Sequence, residues 1–169
     1  MLGSWAHLAK RFFGAVTARD LDENELERIR SLLSATELAL FDQQQPLDRR
    51  HGYESARYAL EAGASDDVAR AAAMHDVAKR HARLGVVGRV IASVCIKLRI
   101  PVRGRFEAYR QHGPIGADEL ERAGSPPIVV RYARSHHGSR PPDVDVQTWA
   151  LLVAADEAGE RSQSVRSDR

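Results

Sequence analysis

Apolar residues recur along this chain at intervals of three and four, the spacing that lines one face of an α-helix. No stretch alternates apolar and polar residues over the length a strand needs. Helices are expected over Leu2–Val16, Asn24–Leu33, Thr36–Gln44, Leu47–Ala62, Asp67–Arg80, Val86–Leu98, Arg105–Gln111, Pro114–Ala123, Pro127–Ser135 and Val146–Ala158. Asp22 is placed to cap the second, with acidic residues crowding its first turn. Gly63, Gly85, Gly113-Pro114, Gly124, Pro126-Pro127 and the run GSRPPDVD separate the helices.

The predicted class is all-α, a single helical bundle. Residues 1–45 form an N-terminal helical extension packed on the domain, 46–160 the domain itself, and 161–169 a disordered tail. The segment SWAHLAKRFFGAV sets Trp5, Leu8, Phe12 and Val16 on one face. Packing on the domain is expected for it, with a partner or a membrane surface as alternatives.

Composition narrows the classes. At 169 residues the chain can bury a sizeable core, and 43% hydrophobic with 28% charged residues is the mix of a soluble globular protein. A net charge of +2 is too small to argue for specific nucleic-acid binding. The longest apolar run, Val86–Leu98, is too short to span a bilayer and contains Arg89 and Lys97. The lone Cys95 has no intramolecular disulfide partner, which fits a reducing, cytoplasmic setting, and it is read as a small core residue. Of 25 basic residues only Lys10, Lys79 and Lys97 are lysine, so each lysine merits individual attention. Composition leaves the oligomeric state open.

Polar residues then break the apolar stripes in a consistent way. Val68 and Ala71/Ala72 lead to His75, Val129 and Tyr132/Ala133 lead to His136, and Trp149 and Leu152/Val153 lead to Asp156. His51 is one residue off the Gly52, Ala56, Ala59/Leu60 face, and His112 sits at the kink before Gly113-Pro114. One core histidine is ordinarily hydrogen-bonded to a backbone carbonyl. A carboxylate on an apolar face is harder to accommodate, because burying it without a partner costs several kcal/mol. Several segments bringing His or Asp inward point together to a metal centre.

The order His51, His75-Asp76, His112, His136, Asp156 resembles the HD-domain superfamily of metal-dependent phosphohydrolases, from about Leu47 to Ala158. HDVAK at His75–Lys79 looks like the HDIGK-type variant, HGPIGADEL at His112–Leu120 like its H-P-x-x-G segment, and ARSHHG follows at Ala133–Gly138. The resemblance implies His51, His75, Asp76 and Asp156 as ligands of the basic site. His112 and His136 would be the ligands of a second metal, with Asp76 bridging. Two divalent transition metals (Fe, Mn, Co, Ni or Zn) suit such donors. The implied reaction is attack of metal-bound hydroxide on a phosphoester or phosphoanhydride of a small, nucleotide-like substrate. HHGSRPPD replaces the segment that marks the cyclic-di-GMP phosphodiesterases, and Leu47 stands where trinuclear members carry an acid, which argues against both.

Lys79, four residues after His75 and three after Asp76, shares their helix face and is assigned to a phosphoryl oxygen or the leaving group. His137 is a candidate neighbour of the ligands or of substrate. Arg103 and Arg105, in LRIPVRGR with Arg99, and Arg140 are candidate phosphate contacts, with a solvated basic loop as the plainer alternative. His7 and His81 are expected at the surface. Two other functions share this ligand set: a mixed-valent di-iron oxygenase of the same superfamily, and a non-catalytic metal-binding regulatory module.

Overall fold

The computed structural model describes residues 19–165. They are all-α, with no strand among them. The helices are α1 (Glu23–Leu32), α2 (Ala35–Asp42), α3 (Pro46–Glu61), α4 (Asp66–Met74), α5 (Lys79–Ala82), α6 (Val86–Lys97), α7 (Arg105–Arg110), α8 (His112–Arg122), α9 (Pro127–Ser135) and α10 (Val146–Val165). The expected helix Leu2–Val16 lies outside the described residues.

Local chemistry explains where these elements begin. Asp22 with Glu25 and Ser34 with Glu37 form reciprocal capping boxes that satisfy the first free amides of α1 and α2. Pro46 and Pro127 open α3 and α9, where their missing N–H costs nothing.

The core is centred on α4, which packs against α3, α9 and α10. Its run of alanines from Ala71 to Ala73 is buried and lets neighbouring helices come close. Gly52 on α3 makes that contact possible, since a Cβ there would lie 2.4 Å from the Ala73 carbonyl oxygen. Phe41, Met74, Leu120, Tyr132 and Leu152 fill the remaining space, each large apolar side chain stabilising the fold by roughly 1.5–3 kcal/mol. Ile29 and Leu32 of α1 belong to the same core.

A smaller cluster of Ala82, Leu84 and Ala92 with Phe106, Ala108 and Tyr109 holds α5, α6 and α7 together. Arg89 of α6 reaches across to α3, where its guanidinium grips both oxygens of the buried Asp48, with Nη2 2.6 Å from Oδ2. That pair fixes α6 over the end of α3 which carries His51.

Three boundaries differ from the sequence reading. The helix expected through Arg80 stops at Met74, and His75–Ala78 form successive turns. α8 starts at His112 instead of Pro114, so the histidine opens the helix rather than standing before a kink. α10 continues to Val165, well past Ala158, so the segment expected as a disordered tail is helical through that residue. Cys95 is half-buried rather than in the core.

Candidate metal centre

The break at the end of α4 follows from a side chain. His75 Nδ1 donates to the Ala72 carbonyl, 2.9 Å away, three residues back. An uninterrupted helix would offer that oxygen to the Asp76 amide. Competition at this one acceptor ends the helix and turns Asp76 inward. His136 repeats the arrangement at the end of α9, with Nδ1 2.9 Å from the Ala133 oxygen. His112 does so after α7, with Nδ1 2.5 Å from the Tyr109 oxygen.

A ring nitrogen facing a carbonyl must carry the proton, so each neutral ring presents a bare Nε2 lone pair inward. These lone pairs converge on Asp76. Its Oδ1 lies 3.0 Å from His112 Nε2 and 3.4 Å from His136 Nε2. Its Oδ2 lies 3.4 Å from His75 Nε2 and 3.6 Å from His51 Nε2. Asp156, on α10, places Oδ1 3.0 Å from His51 Nε2 and 3.3 Å from His75 Nε2. The six residues therefore sort into two groups sharing one carboxylate. His137 joins the second group, its Nε2 3.1 Å from His112 Nε2.

The groups fit cations. Two nitrogen lone pairs 3.2 Å apart (His112, His136) repel unless positive charge lies between them, and in the other group His51 Nε2 lies 3.3 Å from His75 Nε2. Asp76 Oδ1 is fully buried and accepts no hydrogen bond, a condition that costs about 1–3 kcal/mol or more for a charged group. His51, His75 and Asp76 form one set able to hold an ion, and Asp76, His112, His136 and His137 another. Mixed imidazole and carboxylate donors suit first-row transition ions and Zn²⁺ better than Mg²⁺ or Ca²⁺.

The electrostatics agree. Burial alone would lower the His75 pKa, but Asp76 and Asp156 outweigh it and raise it to about 10. Burial would raise the carboxyls, yet Lys79 and His75 hold Asp76 well below the usual range, and His75 with His51 does the same for Asp156. Without metal, a proton on His75 serves as the cation. Burial pushes His136 down, and pushes His137 down to about 3, keeping both rings neutral.

Lys79 pairs with Asp76 Oδ2. Burial opposes its charge, but Asp76 outweighs burial and raises its pKa well above that of an ordinary lysine. Its ammonium is thus a fixed charge. Beside it opens a cavity of about 540 Å³, within the range of small-molecule sites. It is lined by groups of the centre, including His75, Asp76 and His137, and by Ser93, Ile96 and Lys97 of α6 with Tyr109, Arg110 and Glu160.

The arginines chosen from the sequence are elsewhere. Arg103 is exposed, Arg105 donates to the Ala82 oxygen, and Arg140 turns to the Pro141 and Val144 carbonyls. None lines the cavity, where Lys97 and Arg110 stand instead. His81 is exposed, paired with Glu119, and His7 lies outside the described residues.

Two supporting residues escaped the sequence reading. Tyr132 donates to the Leu152 oxygen and sets its ring against His75 and His136, with centroids 5.6 and 5.9 Å away. Gly159 lets α10 close on His51, since a Cβ there would lie 2.7 Å from His51 Nδ1 and 2.4 Å from Ser55 Oγ. A glycine three residues after an inward aspartate was the available signal.

No family model matches the chain, and no curated protein or solved structure matches it.

Proposed function

We propose that this chain is an HD-type metal-dependent phosphohydrolase acting on a phosphoester or phosphoanhydride of a small, nucleotide-like substrate. The observation that carries the reading is the buried Asp76 carboxylate spanning two sets of inward imidazole nitrogens. His51, His75, Asp76 and Asp156 would hold one divalent transition ion, and Asp76, His112 and His136 a second. Two such ions supply Lewis-acid stabilisation of phosphoryl oxygens and lower the pKa of water toward neutrality.

The chain's own residues then have distinct tasks. Three of the imidazoles are fixed by their Nδ1–carbonyl bonds, so little reorganisation accompanies the reaction. Lys79 keeps its proton and stabilises negative charge on the phosphoryl group electrostatically. His137, held neutral, is an acceptor at the cavity wall for a water or substrate hydroxyl. Tyr109 offers an aromatic wall, and Lys97 places positive charge where further phosphates would lie, beside Arg110, which is paired with Glu107. Water's oxygen bonds to phosphorus, the bond to the leaving oxygen breaks, and water's proton ends on the products.

The test is phosphate or nucleotide release by the metal-loaded protein from a panel of nucleoside phosphates and simple phosphoesters. Release that disappears in Asp76→Asn supports the reading. No release with Fe, Mn, Co, Ni or Zn overturns it, and oxygen uptake by an iron-loaded sample in its place assigns the centre to oxidative chemistry.

A further inference from the structure

The helix that walls the cavity has a second face. Arg89, Ala92 and Ile96 of α6 point inward, to Asp48, the small cluster and the cavity. Half a turn away, Val87, Ile91 and Leu98 are spaced by four and seven residues, which places them on one stripe. They are 59%, 46% and 65% exposed, and Ile100, just past the helix end, is 48% exposed. Large apolar side chains so exposed along one edge mark an interaction surface.

Charge identifies what that surface meets. From Val77 to Phe106 the sequence contains no aspartate or glutamate and eight lysines or arginines. Three of them turn inward, Lys79 to Asp76, Arg80 to Glu119 and Arg89 to Asp48. Arg83, Arg99 and Arg103 are exposed in the segments that lead into and out of α6. A second copy of the chain would set these cations against their own equivalents, which repel. Nucleic acid would take the charge but leave the apolar stripe unused.

We infer that α6 and the Leu98–Arg105 loop form a docking face for an anionic bilayer. The apolar stripe enters the acyl boundary and the arginines meet lipid phosphates, the arrangement of an interfacial helix. α6 then lies in the membrane plane with its cavity-lining side turned away from the lipid. No helix among the described residues is long and apolar enough to cross a membrane.

The experiment is flotation of the full chain with vesicles of equal parts phosphatidylcholine and phosphatidylglycerol, beside vesicles of phosphatidylcholine alone. The expected result is binding to the anionic vesicles only, weakened by salt. Ile91→Glu with Leu98→Glu should abolish it. Arg99→Gln with Arg103→Gln should weaken it about fivefold per arginine, with melting temperatures unchanged because all four positions are exposed. Three results overturn the inference: no binding to anionic vesicles, equal binding to neutral ones, or variants that bind like the parent. A dimer dissociated by the Ile91→Glu/Leu98→Glu pair, without vesicle binding, assigns the face to a second copy.

Discussion

Replacing Asp76 by asparagine changes no volume but removes the charge on which the centre converges. In chelator, the substitution leaves the Lys79 ammonium, only 14% exposed, without its carboxylate. Breaking a buried pair from one side costs about 3–5 kcal/mol. For a chain of this size each kcal/mol moves the melting temperature by about 2–4 °C, so Asp76→Asn should melt on the order of 10 °C below the parent in EDTA. Lys79→Met added to it should recover much of that loss, since an uncharged pair replaces a lone buried charge, and the double-mutant cycle measures the coupling. Metal content provides the second readout. The parent should bind two ions per chain and melt higher with them, whereas Asp76→Asn loses the ligand common to both groups and should bind neither tightly. An asparagine variant that melts with the parent in chelator refutes the buried-pair reasoning. One that still holds two ions refutes the shared carboxylate.

In the metal-free protein His75 titrates at about 10, against an ordinary 6.5. A raised folded value means stability that is complete below 6.5 and lost as pH rises toward 10. Denaturation midpoints in EDTA should therefore fall across that window, and a bound metal, taking the proton's place, should flatten the decline. Gly159→Ala forces a methyl group within 2.7 Å of His51 Nδ1. It should cost about 1–3 kcal/mol and selectively empty the ion group of His51, His75 and Asp156, leaving one metal per chain by elemental analysis.

Helical periodicity set several of the converging residues on inward faces of their helices. His75, His136 and Asp156 each extend an apolar stripe, and all three project inward together. His137 was less legible, because neighbours on a regular helix point about 100° apart. The turn that follows Ser135 removes that separation and brings the His136 and His137 ring centroids to 3.9 Å. Arginine density drew attention to Arg103, Arg105 and Arg140, yet reach into the cavity depends on how α6 and α7 sit over α3. That placement rests on Arg89 and Asp48, 41 residues apart in the chain, a pairing no local pattern announces. The break at Met74 was equally hidden, since it arises from a side chain competing with the backbone for one carbonyl.

Both α4 and α9 run tail-first into the centre, ending at Met74 and Ser135. A helix end of that polarity carries about half a negative elementary charge, which adds to the charge of Asp76 and Asp156, each within 3.4 Å of His75 Nε2. A cation bound there would act as a rivet between the two helix ends. Drained of metal, the same joint keeps only the His75 proton and the Lys79 ammonium to hold its negative groups together.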